Sequence, residues 1–286
     1  MAHPRVAAWL AKVSAACFVL STLLLWVAVS IRQDHRIEGT LHLYEQLDAH
    51  LLTVIWEGRR SAQASALFGA FLLCLAWVFA LPAVESFAHA MGGQTRSATG
   101  ALTSAWKVAA TLTVVEFVSE AGAAGTADWM SSWELLRNDV NHTHDGGFGA
   151  IQALEISYRL THSRTVWLFA MDRLLLAIGF VTAAGLTYSS ATGQFSRGWA
   201  HLAMFGAAFC IIGFGLDVAR FASWVTFKLA AQAFTAILDA IILPIWLVWL
   251  ANMLIVIDLQ GGAYQVDGNG MPKEIQMQRN LPLGAV

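Results

Sequence analysis

Six apolar runs, each long enough to cross a bilayer, constrain this chain more than any other feature. They fall at about 6–30, 65–84, 101–121, 163–188, 199–219 and 230–257. A hydrocarbon slab of roughly 30 Å is crossed by about 20 residues of helix. Backbone N–H and C=O groups find no water there, so such runs must be helical. No period-2 alternation points to a barrel. Composition agrees: 57% of the 286 residues are hydrophobic and only 13% are charged, about half the charged share of a soluble domain. The reading is all-α, a polytopic transmembrane bundle over residues 1–258 with a flexible polar tail over 259–286. It is an integral membrane protein; the sequence does not specify which membrane.

The third run is the weakest, because Lys107, Glu116 and Glu120 interrupt it. Without it the count falls to five and the chain ends lie on opposite sides. Arg5 and Lys12 precede the first run, which is longer than the core of a signal peptide, so the first helix is expected to be a retained anchor. The connections 31–64 and 122–162 are long. Leu41, Leu43, Tyr44, Leu47, Leu51, Leu52 and Ile55 recur at mostly helical spacing, which predicts a surface helix. Ile151, Leu154 and Tyr158 give a weaker signal, and that segment is expected to act as a second surface helix or to continue into the fourth span. Lys and Arg counts give conflicting orientations: Arg5 and Lys12 favour a cytoplasmic start, whereas the arginines of the two long connections favour the reverse.

The net charge of -2 gives no electrostatic case for nucleic acid. Cys17, Cys74 and Cys210 all sit in apolar runs and read as small buried hydrophobes. Among the twelve tryptophans, Trp9, Trp26, Trp106, Trp167, Trp199 and Trp224 lie near span ends. They are expected to anchor at the interface, where the ring is apolar and the N–H finds a polar partner.

Ionisable residues inside the runs carry the functional signal. They are Glu116 and Glu120 in the third, Asp172 and Arg173 in the fourth, Asp217 with Arg220 at the edge of the fifth, and Asp239 in the sixth. A charge at mid-membrane costs about 2.5–3.5 kcal/mol on insertion scales, so these groups must face the interior and find company. Glu116 and Glu120 share a face four residues apart, which calls for a cation or a shared proton. Asp217 and Arg220 are three apart and placed to pair. Asp172 and Arg173 are adjacent, point different ways, and need partners on other helices. Gly206, Cys210, Gly213, Asp217 and Arg220 share one face. Its small residues admit a close neighbour, either within the chain or, through Gly206 and Gly213, in a homo-oligomer or another protein. Gln232, Thr235 and Asp239 share a face of the sixth run. Glu85 and His89, four apart, read as an interfacial pair, and Lys107 as a residue reaching toward the interface.

Outside the runs, His142, His144 and Asp145 have residue types that bind zinc or copper, in a glycine-rich stretch that reads otherwise as a solvated loop. No Gly-x-Ser-x-Gly, Walker A, GxGxxG, His-Glu-x-x-His or potassium-filter pattern occurs, and no cofactor is indicated. Three functional classes follow. The leading one is proton-coupled movement of a small solute or ion along a polar path through Glu116, Glu120, Asp217 and Asp239, with Asp172, Arg173 and Arg220 completing the network. The second is a non-catalytic subunit or scaffold of a membrane complex. The third is a membrane-embedded metal-dependent enzyme.

Overall fold

The computed structural model describes residues 3–32, 49–91, 96–125, 147–190, 195–222 and 224–262. Among them every regular element is helical. The helices are α1 (Pro4–Arg32), α2 (Ala49–Ala90), α3 (Arg96–Gly125), α4 (Gly147–Ser189), α5 (Arg197–Ala222), α6 (Trp224–Ile237) and α7 (Leu243–Gly262). A π-helical turn, Leu238–Ile242, joins α6 to α7, so the last two form one rod.

Six segments are long and apolar enough to cross a membrane: Pro4–Ile31, Ser61–Ala90, Ser97–Val118, Trp167–Ser189, Arg197–Ala219 and Ala230–Asp258. They match the six runs of the sequence to within a few residues. Their outward faces carry Leu20, Leu23, Phe68, Ile178, Val181, Phe205, Ile211, Ile245 and Val256, all exposed. Apolar residues thus cover the outside as well as the inside, as a lipid-facing bundle requires.

The third segment is helical despite its charges. Lys107 Nζ reaches Glu85 Oε1 of α2 at 2.7 Å. This corrects one expectation: Glu85 pairs with Lys107 instead of His89. Among the described residues neither expected surface helix stands apart from a span, and Leu41, Leu43, Tyr44 and Leu47 of the first lie outside them. The described part of the first, from Ala49, is continuous with the second span, and helix from Gly147 runs unbroken into the fourth. Residues 33–48, 126–146 and 263–286 lie outside the described residues, and with them most of the tail.

Each helix packs on its chain neighbours, and the α6–α7 rod returns to α1, so the spans form a closed ring. Successive spans run in opposite directions. One end of the ring, the Pro4 end, holds the start of α1 and the finish of α7, tied by Arg5 Nε donating to Asp258 Oδ2 at 2.6 Å. The opposite, Arg32 end is where α1, α3 and α5 finish. The buried faces of α1 are lined with small residues, Ala7, Ala8, Ala11 and Ala15, and two serines tie it to α2: Ser14 Oγ donates to the Ala76 carbonyl at 2.6 Å, and Ser21 Oγ to the Gly69 carbonyl at 2.7 Å.

Aromatic side chains fill the middle of the ring, at least one from each span. Phe18 of α1 meets Trp77 of α2, Trp77 meets Trp106 of α3, and Trp106 stacks on Trp246 of α7 with centroids 5.4 Å apart. Trp246 stacks in turn on Trp199 of α5 at 4.8 Å, and Phe180 of α4 sits edge-on to both Trp106 and Trp246. All six are almost fully buried. Toward the Pro4 end, Phe87 and Phe195 close over Trp199. The interface-anchor expectation is therefore corrected for Trp106 and Trp199, which are core residues. Trp9, Trp26 and Trp167 are exposed, as an interfacial or lipid-facing position requires.

Candidate functional site

The fourth span carries Asp172 and Arg173 between the exposed Met171 and Leu174. Arg173 turns inward, because Gly213 of α5 leaves it room. A Cβ at Gly213 would stand 3.1 Å from both Cδ and Nη1 of Arg173. One heptad away, a Cβ at Gly206 would stand 3.0 Å from the Phe180 ring. The small-residue face of α5 thus receives α4 of the same chain, in antiparallel register.

A buried guanidinium has five N–H donors to satisfy and no means of losing its charge. Arg173 Nη1 meets Asp217 Oδ2 of α5 at 2.5 Å and donates to the Gly213 carbonyl at 2.8 Å. Its Nη2 donates to the Ala231 carbonyl of α6 at 3.3 Å and to Thr235 Oγ1 through a short hydrogen bond. Thr235 sends its own proton to the Ala231 carbonyl at 2.9 Å, which turns its oxygen lone pairs toward the arginine. Arg173 and Asp217 are both buried, and this one side chain ties α4 to α5 and α6.

Two more acids stand within electrostatic reach of Arg173: Asp172 beside it and Asp239 on the sixth rod. They also feel each other. Asp172 Oδ1 is sealed from solvent and has no hydrogen-bond partner among the described residues. Cys210, fully buried on α5, lies within reach of the same three charges. One guanidinium therefore faces three carboxylates in an apolar bundle. Ionised acids in excess of cations are costly in such a medium.

Asp239 lies in the π-helical turn, where the Leu243 N–H donates to the Leu238 carbonyl, five residues back. Pro244 explains the break. It has no N–H to offer the Ala240 carbonyl, and its ring crowds that oxygen, so regular α-helix fails there. Single π-turns in long helices occur frequently at functional sites. Pro244, inside an apolar run five residues after Asp239, was the sequence signal that charge spacing alone overlooks.

The structure brings Asp172, Arg173, Asp217 and Asp239 together from three spans. Asp217 pairs with Arg173 across helices; the side chain of Arg220, its expected partner, lies outside the described residues. Glu116 is half-buried on α3, within reach of the Cys74 thiol of α2, which in turn contacts the Thr113 carbonyl at 3.7 Å. The Glu120 side chain, and all of His142, His144 and Asp145, lie outside the described residues. Among the described residues no group of three or more His, Cys, Asp or Glu is placed to hold a metal. Comparison with family models, with curated proteins and with solved structures finds no match for the chain.

Proposed function

We propose that this polytopic membrane protein moves a small solute or ion, coupled to a proton, past the seam between α4, α5 and the α6–α7 rod. The observation that carries the reading is the imbalance at Arg173: one buried guanidinium against Asp172, Asp217 and Asp239. A structural clip needs one acid for one base. The surplus acids, one with an oxygen lacking a partner among the described residues, mark a place where a mobile cation or proton completes the balance. The π-turn at Asp239 supports the same reading, because a helix interrupted next to a charge lets that charge shift without unwinding a span. Glu116 on α3 stands as a further acid of the path.

The test is flux through purified protein in liposomes, followed with a pH-sensitive dye. Asp172→Asn, Asp217→Asn, Asp239→Asn and Glu116→Gln are each expected to lower proton-linked flux. Undiminished flux in all four variants would remove the proposed path.

A second reading, a non-catalytic subunit of a membrane complex, is favoured by the Glu85–Lys107 pair. Both side chains are about half exposed on the outside of the bundle, where a covering partner would relieve their contact with lipid. Mass measurement in mild detergent tests it: a monomer with no associated protein speaks against that reading.

A further inference from the structure

We propose that the aromatic column is the closed gate of this path, so that the charged cluster communicates with the Arg32 end of the bundle and not with the Pro4 end. The inference rests on reading the cluster as a site for a mobile ion. Arg173 lies six residues inside the Trp167–Ser189 span at its Arg32 end, and Asp217 lies two residues before the Arg197–Ala219 span finishes at that same end. Phe180 is seven residues further along α4 than Arg173, about 10 Å at the helical rise, in the direction of the Pro4 end. From that level onward the interior is aromatic: Phe18, Trp77, Trp106, Phe180 and Trp246, then Trp199 under Phe87 and Phe195.

Every span contributes a ring to this layer, and the rings are in contact from α1 through α2, α3, α4 and α7 to α5. An ion crossing it would leave the carboxylates and enter a region whose buried side chains, among the described residues, carry no charge. The layer also has a reason to open. Trp106 Nε1 and Trp246 Nε1 are buried without a hydrogen-bond partner among the described residues. A buried donor left unmade is costly, so an arrangement that admits an acceptor between the rings relieves both. Trp199 differs, since its Nε1 donates to the Trp246 carbonyl at 3.1 Å and fixes α5 to α7.

The experiment uses the full chain in liposomes, with Cys17, Cys74 and Cys210 replaced by alanine. Thr235→Cys places a thiol beside Arg173; Gln232→Cys, on the same helix, serves if the first variant fails to assemble. Ile31→Cys marks the Arg32 end and Arg197→Cys the Pro4 end. A membrane-impermeant methanethiosulfonate bearing a quaternary ammonium is applied from each side. The cluster thiol is expected to react about a hundredfold faster from the side that reaches Ile31→Cys, the penalty for driving a charged reagent through an apolar layer. Adding Trp246→Ala is expected to raise the slow rate. Equal rates from both sides, faster reaction from the Arg197→Cys side, or reaction from neither side overturns the gate. Accessibility and flux separate the two ideas: one-sided labelling with no flux removes the transport reading and leaves the barrier, whereas two-sided labelling with acid-dependent flux does the reverse.

Discussion

Arg173 and Trp246 are both buried in one bundle, and each ties several helices together, yet what holds them differs in kind. Around Arg173 every contact is directional: one carboxylate, two carbonyls and a hydroxyl take its donors. Around Trp246 the contacts are ring faces and edges from α3, α4 and α5. Lipid tails are as apolar as the core, so the column gains little from escaping water. Close packing and ring geometry hold it. The cluster is held by electrostatics that would be cheaper to leave out, since a well-packed apolar pair is often at least as stable as a buried ion pair. A bundle seeking stability alone would extend the aromatic packing to the Arg32 end. The charges are the part of the interior that folding does not explain.

The largest losses are expected at the centres of the two regions. Arg173→Ala leaves Asp217 buried and uncompensated and should cost about 3–5 kcal/mol. Trp246→Ala removes the ring shared by Trp106, Phe180 and Trp199 and should cost a comparable amount, about 3–5 kcal/mol. Thermal unfolding in detergent micelles checks both, and neutralising Asp217 should recover part of the first loss and none of the second. A smaller contrast comes from the glycines. A Cβ at Gly179 would sit 2.6 Å from Trp106 Nε1, a rigid ring wedged among other rings, so Gly179→Ala should cost about 1–3 kcal/mol. At Gly213 the added Cβ would meet Arg173 Cδ and Nη1 at 3.1 Å, a milder overlap, so Gly213→Ala should cost less than Gly179→Ala, about 1 kcal/mol. Equal costs at the two glycines would erase the distinction drawn between the regions.

The spans were legible because length and hydropathy are properties of single helices. The charges inside them were legible for the same reason, and four of the seven residues singled out meet at one place. Their partners were less so. Spacing along one helix suggested Asp217 with Arg220, whose side chain lies outside the described residues; the contact of Asp217 with Arg173 of another helix was not suggested, because no local pattern encodes the register that sets Gly213 against Arg173. The paired role of Glu85 was hidden in the same way, since Lys107 reaches it from the next span. Trp106 and Trp199 were misplaced because nearness to a span end was taken to mean an interfacial position. Trp199 stands near the start of α5, yet Phe87 and Phe195 cover it. The π-turn had a visible cause in Pro244, and reading proline against charge would have found it.

A charge-balanced replacement tests most directly whether the cluster is a site or only a fastening. Arg173→Met combined with Asp217→Leu removes both partners together, so the fold should survive with stability within about 1–2 kcal/mol of the parent chain. Proton-linked flux measured in liposomes on that folded double variant is expected to disappear. Flux at the parent rate would contradict the account and reduce Arg173 and Asp217 to a clip between helices.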